Sequence, residues 1–356
     1  MLIVRSPVRI SFGGGGTDLP AYFEAHGGAV LSTAINKYFY TIVGERTDGH
    51  IQIISSDLRM FETWKDIHCM SVRGTPLEIP IAVLKELGCE AAVDLFLASE
   101  IPPGTGLGSS ASVCVNVLQA MATHLGLPLS KDDLAEKAFY IASTVLGKPV
   151  GKQDEYAAVF GGLNFMSFNQ DGSVEIEPLR LDPDLINALQ GKLMLFFTGA
   201  AHNSWSILQE QEASTRSGAA LEYLHQIKRL AGKMRQTLFT GDLDQFGALL
   251  HEGWMNKKKI SKRISNPAID RMYAIARDQG ASGGKITGAG GGGFLLLYCD
   301  EAYQPAVRQA LVAEGSKEMR FAFDFQGCRV LVNDELASNE VVSILPRTKR
   351  EAPTIS

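Results

Sequence analysis

Three glycine-rich segments constrain the fold of this chain more than any other feature of its sequence. Glycine loses more conformational freedom on folding than any other residue, so a run of glycines marks a backbone that needs an unusual conformation or a close neighbour. The segments are residues 13–16, 104–108 and 288–293. Only the second leads straight into a strong helical pattern, which covers Ala111 to Leu125 and is closed by Gly126.

The junction between residues 104–108 and this helix predicts a phosphate-binding loop. The first N–H groups of a helix are unpaired and the helix dipole is positive there, so the main chain alone can hold a polyphosphate. The segment lacks the Gly-Lys-Ser/Thr of a Walker A loop and the spacing of the dinucleotide fingerprint. A simple turn is the alternative for any one glycine run. The predicted phosphate-binding residues are Pro103, Gly104, Gly106, Leu107, Gly108, Ser109, Ser110 and Ala111.

Two serine hydroxyls at the start of the helix add a possible metal ligand. Ser109 and Ser110 lie where a hydroxyl can reach a phosphate oxygen or a bound Mg²⁺. We therefore assign Ser110 as the predicted metal ligand, together with phosphate oxygens and water.

Composition excludes several classes of protein. A chain of 356 residues with 45% apolar and 21% charged residues is long enough for two domains. It has no apolar stretch of the roughly 18 to 20 residues that a membrane span needs, and its first residues lack a secretory pattern, so we expect a cytoplasmic protein without a membrane partner. The net charge of −5 and the absence of a long basic tract argue against nucleic acid. The oligomeric state stays open, a homodimer included.

The cysteines indicate neither a disulfide framework nor a zinc site. They are odd in number, widely scattered and without a CxxC pair. We expect reduced side chains at Cys69, Cys89, Cys114, Cys299 and Cys328.

The order of predicted elements changes along the chain. The first third favours short strands, and residues 203–279 are helical with breaks at Gly218, Gly241-Asp242 and Asn266-Pro267. Strands return near the carboxyl terminus around one helix, so the fold class is α+β. We place the domain boundary in the turn-rich region 182–191, which gives domains 1–187 and 188–356.

Several elements have clear sequence signals. Ser130 and Asp133 have capping-box spacing and predict a helix that ends at Gly147, and another short helix should start near Asp154. The predicted strands are Leu2–Val4, Val8–Phe12, Tyr38–Val43, Ile51–Ser55, Val93–Ala98, Leu193–Thr198, Phe294–Cys299 and Cys328–Val332.

Three motifs follow each other along the chain: residues 5–9 with 16–18, residues 103–112, and residues 285–293. In this order they resemble the motifs of the GHMP kinases, the galactokinase, homoserine kinase, mevalonate kinase and phosphomevalonate kinase superfamily. The resemblance spans nearly the whole chain. It implies a two-domain α+β fold with the active site in the cleft between the domains, and a reaction that uses ATP and Mg²⁺.

Two further segments resemble one branch of that superfamily. Residues 151–156 and 251–254 are similar to the kinases that phosphorylate the anomeric hydroxyl of D-glycero-D-manno-heptose 7-phosphate, which supply activated heptose to lipopolysaccharide or capsule. The partners implied are ATP and a sugar phosphate. Another GHMP sugar or small-alcohol kinase, such as a galactokinase or fucokinase, remains an alternative, as does a nucleotide or sugar sensor without activity.

The resemblance also implies roles for individual residues. Asp154 matches the carboxylate that faces the acceptor hydroxyl, and Arg9 matches the cation beside it, which offsets charge on the transferred phosphoryl group. Asp18 matches an acceptor of sugar hydroxyls, with an Asx turn as the alternative reading. The implied substrate-binding residues are Gly16, Thr17, Asp18, Lys152, Gly290 and Gly291.

One position departs from the family pattern. Many members carry a magnesium-binding glutamate five residues before the glycine of a Gly-x-Pro turn, and this chain has Ala142 there. Glu136 lies nearly two helical turns earlier and cannot be assumed to replace it.

A basic cluster on one predicted helix suggests that the acceptor carries its own phosphate. His251, Trp254 and Lys258 share a face at helical spacing, whereas Lys257 and Lys259 diverge from it and are expected to be solvated. A solvated helix end is an equal alternative for each of these charges.

Overall fold

Two β-sheets form the framework of the computed structural model, which describes residues 1–199 and 204–334. The first sheet has eight strands and the second has four. In chain order the strands are β1 (Leu2–Gly13), β2 (Gly28–Glu45), β3 (Ile51–Ser55), β4 (Met60–Trp64), β5 (Val93–Ser99), β6 (Leu163–Phe168), β7 (Val174–Pro178), β8 (Leu193–Phe197), β9 (Ala281–Ile286), β10 (Phe294–Cys299), β11 (Lys317–Glu318) and β12 (Arg329–Asn333).

The two longest strands, β1 and β2, organise the first sheet. Its order is β12-β1-β2-β5-β3-β4, with β6 and β7 added beside β2. Residues 28–33 of β2 pair with β6, and residues 39–45 pair with β5. All pairs are antiparallel except β3 with β5. The second sheet is antiparallel, in the order β11-β8-β10-β9.

Helices pack against the two sheets and bury the hydrophobic cores between helix and strand side chains. A 3-10 turn at Ile67–Cys69 and a π-helical turn at Ile141–Val145 accompany them. The helices are α1 (Pro20–His26), α2 (Glu78–Glu86), α3 (Ser109–His124), α4 (Lys131–Tyr140), α5 (Gln153–Phe160), α6 (Pro183–Gly191), α7 (Ser204–Arg216), α8 (Leu221–Thr240), α9 (Leu243–Ile260), α10 (Pro267–Asp278) and α11 (Gln304–Ala313). None of the helices within residues 1–199 and 204–334 is long and apolar enough to cross a membrane.

Local capping chemistry fixes several helix ends as predicted. The Ser130 hydroxyl accepts a hydrogen bond from the Asp133 amide over 3.1 Å at the start of α4. The Asn266 side chain accepts from the amides of Ala268 and Ile269 over 3.0 Å each, and Pro267 opens α10. The predicted strands Ile51–Ser55 and Phe294–Cys299 are confirmed with those bounds.

Other predictions of secondary structure were wrong. The region 182–191 is not a turn but helix α6, which Asp182 caps through the amide of Asp184. The helix after Ser130 gives way at Ile141 to a π-helical turn before Gly147. The predicted strand Cys328–Val332 is present as β12 (Arg329–Asn333), but it pairs with β1 in the first sheet and not with the other carboxyl-terminal strands. The boundary at residue 187 stays a prediction, and α6 runs across it.

The second sheet is buried on both faces. Leu195, Leu296 and Tyr298 belong to a core shared with Val8 and Ile10 of β1. Their neighbours along the same strands face the opposite core, under α8 to α11, because side chains alternate across a strand. The two domains of this α+β fold are therefore joined by a continuous apolar core rather than by a linker.

Two of the glycine-rich segments meet backbone to backbone at the domain junction. Gly106 has a φ of +79°, and a Cβ atom there would lie 2.5 Å from the carbonyl oxygen of Thr287. A Cβ atom on Gly288 would lie 2.6 Å from the Cα atom of Gly106. Only glycine permits this approach.

We predict that Gly106→Ala destabilises the fold by about 1–3 kcal/mol more than a matched control, because it combines a left-handed backbone with a backbone clash. Gly126→Ala is the control, since Gly126 has a φ of +67° but no atom within 4 Å of its added Cβ. Urea denaturation of both variants measures the difference. Equal losses would show that the close approach to Thr287 contributes nothing.

Candidate active site

A cavity of about 630 Å³ lies between the two domains, at the junction of the glycine-rich segments. Gly15 and Gly16 line it from the loop after β1, and Gly288 lines it from the loop after β9. Between them, Gly104, Gly106 and Gly108 line it from the loop before α3. This is the size of an ordinary small-molecule site. The cavity is therefore where the three sequence motifs converge.

The start of α3 presents unpaired backbone donors to this cavity. Gly108 precedes the helix with a φ of 77°, and the first intrahelical bond runs from the Ser112 amide to the Gly108 carbonyl oxygen over 3.0 Å. The amides of residues 109–111 come before that bond, and no side chain among the described residues caps them. The cavity lining includes Pro103, Gly104, Gly106, Gly108, Ser109, Ser110 and Ala111.

Leu107 is the one predicted loop residue whose side chain does not line the cavity. It is fully buried in the shared core. Its carbonyl oxygen accepts a hydrogen bond from the Arg9 amide over 3.0 Å, which ties the loop to β1. Leu107 positions the loop instead of contacting a ligand.

Arg9 joins three elements at the centre of the cavity. Its Nε and Nη2 atoms donate to the Asp154 carboxylate over 2.7 Å each, and Nη1 donates to the Gly106 carbonyl oxygen over 2.8 Å. Arg9 is buried on β1, and Asp154 lies in the first turn of α5 with a quarter of its side chain exposed. A guanidinium has five N–H donors, so two remain for a ligand.

Asp18 lies beside this pair and is buried. Its Oδ1 accepts from the Gly16 amide over 2.8 Å, and its Oδ2 accepts from the Gln153 side chain over 2.9 Å. Burial, and after it the charge of Asp154, raises the pKa of Asp18. Gln211 of α7 also reaches this corner, and its buried amide nitrogen has no hydrogen-bond partner among the described residues.

Glu155 is a second buried acid, next to Asp154 in sequence. It lines the cavity, and its Oε2 atom is buried without a hydrogen-bond partner within the described chain. Burial raises the pKa of Glu155 well above its ordinary value, and the Asp154 charge adds to the shift. Burial raises the pKa of the Cys114 thiol on α3, and the charge of Glu155 adds to this shift. The Glu155 carboxylate is therefore close enough to α3 to act on it electrostatically.

Ala142 stands where many family members have a magnesium-binding glutamate, and it lines the cavity as a side chain at that position should. Glu136 points elsewhere, because its carboxylate accepts from Lys152 over 2.6 Å and from the Tyr156 hydroxyl over 2.5 Å. Glu136 does not replace the missing carboxylate.

Part of the lining is apolar. These side chains come from the turn between β3 and β4, from the start of α2, from β5 and from α3, and they are Leu58, Leu77, Ile79, Leu97 and Val113. A flat, weakly polar group fits this part better than a charged one.

Four predicted substrate-binding residues do not line the cavity. The Lys152 ammonium is held by Glu136 and by the Gly172 carbonyl oxygen, which lies 2.7 Å away. Thr17 is buried, and its hydroxyl donates to the Gly14 carbonyl oxygen over 2.8 Å. Gly290 packs against Ile264, and the Gly291 amide donates to the Ile264 carbonyl oxygen over 2.7 Å. The structure gives all four positions a role in shaping the surrounding loops.

The basic cluster also points away from the cavity. His251, Trp254 and Lys258 do share one face of α9, but that face packs on α10. The His251 ring bonds to the Tyr273 hydroxyl over 2.7 Å, and Lys258 pairs with Asp270 over 3.1 Å. The prediction that this face binds a phosphate was wrong, because helical spacing shows which residues share a face but not what the face contacts.

Lys257, expected to be solvated, is the residue of this cluster that lines the cavity. It is 6% exposed, and its ammonium donates to the Gly288 carbonyl oxygen. Sequence reasoning missed Lys257, Glu155 and Gln211. The one available signal was the position of Glu155 next to Asp154.

Comparison with known proteins agrees with this geometry. The model of the GHMP kinase N-terminal domain matches residues 77–162, and that of the GHMP kinase C-terminal domain matches residues 230–317. A D-glycero-alpha-D-manno-heptose 7-phosphate kinase of Campylobacter jejuni is 32% identical over 330 residues, which cover 91% of this chain and 97% of that protein. An L-fucokinase/L-fucose-1-P guanylyltransferase of Bacteroides fragilis is 28% identical over 90% of this chain and 37% of that protein.

Solved structures give the same result. The structure of a D-glycero-D-manno-heptose 1-phosphate kinase from Bacteroides thetaiotaomicron has a TM-score of 0.79 at 28% identity, covering 94% of this chain and 99% of that one. A putative sugar kinase from Campylobacter jejuni has a TM-score of 0.76 at 31% identity, covering 92% and 97%. The motifs, the cavity between the domains and this similarity lead to one conclusion: the chain belongs to the GHMP kinase family.

Proposed function

We propose that this kinase transfers the terminal phosphoryl group of ATP to the anomeric hydroxyl of D-glycero-D-manno-heptose 7-phosphate, which gives the 1,7-bisphosphate. The observation that carries the proposal is the Arg9–Asp154 pair, which faces the same cavity as the unpaired amides of α3. The Campylobacter jejuni relative supports the choice of acceptor. The product would enter the synthesis of nucleotide-activated heptose for lipopolysaccharide or capsule.

Asp154 is suited to orient the acceptor. Each carboxylate oxygen has two lone pairs, so the carboxylate can accept the acceptor hydroxyl while Arg9 stays bound. In the transfer, the bond from the acceptor oxygen to phosphorus forms and the bond from phosphorus to ADP breaks. The hydroxyl proton passes to Asp154 and from there to water. Orientation of the hydroxyl matters more than early proton removal, because phosphoryl transfer has a loose transition state.

The nucleotide has two matching parts of the cavity. The amides of residues 109–111 and the dipole of α3 favour the phosphates. The apolar lining around Leu77 and Leu97 suits the base.

The side chains present also fit a magnesium ion. Mg²⁺ prefers oxygen ligands, keeps several waters, and bridges and neutralises nucleotide phosphates when it is bound. Ser110, with its hydroxyl, and Glu155, whose buried carboxylate has an oxygen without a hydrogen-bond partner among the described residues, both line the cavity. We propose that Glu155 provides the carboxylate that the family places at Ala142.

We keep the prediction of a cytoplasmic enzyme. All five cysteines are free, and four of them are at least partly buried, as expected for a reducing compartment.

Asp154→Asn should lower kcat by roughly 10²- to 10³-fold, which corresponds to about 3–4 kcal/mol, because the amide keeps the shape but loses the charge that orients the hydroxyl. The dissociation constant for ATP should change only a few-fold. Asp184→Asn is the matched control, since Asp184 lies in the first turn of α6 and is exposed. Steady-state kinetics and calorimetry measure both effects, and near-normal turnover in Asp154→Asn would remove this residue from the mechanism.

Glu155→Gln should raise the Mg²⁺ concentration needed for half-maximal activity by roughly tenfold, which corresponds to about 1.4 kcal/mol. Ala142→Glu should leave the magnesium titration of the otherwise unchanged enzyme as it is, and it should restore the titration of Glu155→Gln. A shift caused by Ala142→Glu alone would mean that Glu155 does not supply the carboxylate.

The phosphorylated acceptor should be the better substrate. Two charge-assisted bonds of about 1.5–3 kcal/mol each to the acceptor phosphate would make kcat/KM for heptose 7-phosphate roughly 10²- to 10⁴-fold higher than for unphosphorylated heptose. Lys258→Met should leave this ratio unchanged, because Lys258 faces α10. A ratio near one, with mannose or L-fucose accepted equally well, would favour a plain sugar kinase.

A further inference from the structure

One cation of the cavity lining, Lys257, has no carboxylate partner within residues 1–199 and 204–334. Among the described residues that line the cavity, the cations are Arg9, Lys148 and Lys257. Arg9 pairs with Asp154, and Lys148 pairs with Glu78 over 2.9 Å. Lys257 pairs with no carboxylate of the described chain, and its ammonium donates only to the Gly288 carbonyl oxygen. Two of its three N–H donors are therefore available.

Burying this ammonium is unfavourable without an anion. A buried charge normally loses its charge or acquires a partner, because transfer from water to the interior is costly. Burial lowers the pKa of Lys257 to about 8, and the positive charge of Arg9 adds to that shift. The carboxylates of Asp18 and Asp154 oppose it but do not outweigh it. The site holds two cations beside each other, as an anion-binding site does.

A second buried lysine, Lys285, has a purely structural role and can be compared with Lys257. Lys285 of β9 is 5% exposed, and its ammonium donates to the Ser11 carbonyl oxygen over 2.8 Å. It ties β9 to β1 and does not line the cavity. Lys257 makes a similar bond to a carbonyl oxygen but lies in the cavity wall, so its remaining donors can reach a ligand.

We propose that Lys257 is a catalytic residue whose ammonium contacts the phosphoryl group during its transfer. It comes from the carboxyl-terminal domain, through α9 and Gly288, whereas Arg9 comes from β1 in the amino-terminal domain. The inference rests on the proposed kinase reaction. Charge spreads over the oxygens of the phosphoryl group as it leaves ADP for the acceptor oxygen, and cations from both domains stabilise that charge.

The test compares Lys257→Met with Lys258→Met. Lys258 is the neighbouring lysine of the same helix and faces α10, so its variant should keep wild-type kinetics. Lys257→Met should lower kcat by roughly 10²- to 10³-fold, with the KM for the acceptor changed only a few-fold. Its melting temperature should not fall, because the substitution removes a buried charge.

A binding measurement isolates the phosphoryl contact without any acceptor. The ratio of the dissociation constants for ADP and AMP-PNP should fall by roughly tenfold in Lys257→Met, because only AMP-PNP carries the terminal phosphoryl group. An equal loss for both nucleotides, together with a lower melting temperature, would make Lys257 a structural tie to Gly288. An increase confined to the KM for the acceptor would place it at the acceptor phosphate. Either result overturns the proposal, and a wrong acceptor would leave the nucleotide ratio unaffected.

The pH profile gives an independent readout. The charged groups facing Lys257 are Arg9, Asp18, Asp154 and Lys285. Lys257 is protonated below pH 8, so kcat/KM should fall by up to tenfold per pH unit above about 8. Lys257→Arg should move this alkaline limb to higher pH, because a guanidinium keeps its charge. An identical alkaline limb in Lys257→Arg would contradict the proposal.

Discussion

The three-way contact of Arg9 is the interaction on which the rest of the site depends. Its guanidinium bonds both oxygens of Asp154 and the carbonyl oxygen of Gly106, so one side chain fixes β1, the loop of residues 104–108 and the start of α5 relative to each other. A buried ion pair contributes little net stability, because desolvation offsets much of its attraction. The Arg9–Asp154 pair instead fixes the geometry of the site. The pair holds the Asp154 carboxylate beside the start of α3, where a Cβ atom on Gly108 would lie 3.2 Å from Asp154 Oδ2.

Local signals predicted much of the fold, and tertiary context decided the remainder. Caps and breakers such as Ser130, Asn266 and Gly241 act within one helical turn, so the sequence alone located those helix ends. Residues 28–33 of β2 and strand β9 were missed. Small residues in both, such as Gly28 and Gly283, weaken the strand pattern, and pairing with β6 and β10 supplies the stability that local propensity does not.

The sequence also predicted only part of the candidate site. The three motifs, taken in order, predicted residues of the cavity lining: 9, 18, 104, 106, 108–111 and 154. Glycine loops and helix starts can be recognised in this way because their function depends on the local backbone. Side chains whose role depends on a neighbouring element could not be placed. Lys152 meets Glu136, and Lys258 meets Asp270, whereas Lys257 points into the cavity. A helical pattern shows which residues share a face but not which element packs on that face. On α9, Lys258 forms a partly exposed ion pair with Asp270, whereas its neighbour Lys257 is buried.

Three ionisable groups of the cavity lining have shifted pKa values, and these shifts link the stability of the fold to ligand binding. Burial raises the pKa of Asp18 and Glu155 and lowers the pKa of Lys257, so in all three the charged form is less stable in the fold than in the unfolded chain. The two acids therefore contribute stability at low pH that is lost as the pH rises through their raised values. The cost of burying the Lys257 ammonium is full below about pH 8, and it declines as the pH rises from there to the ordinary lysine value of 10.5. A polyphosphate bound beside Lys257 would stabilise its charged form, and a divalent cation bound beside Glu155 would stabilise the charged carboxylate. Both ligands should therefore increase the stability of the fold.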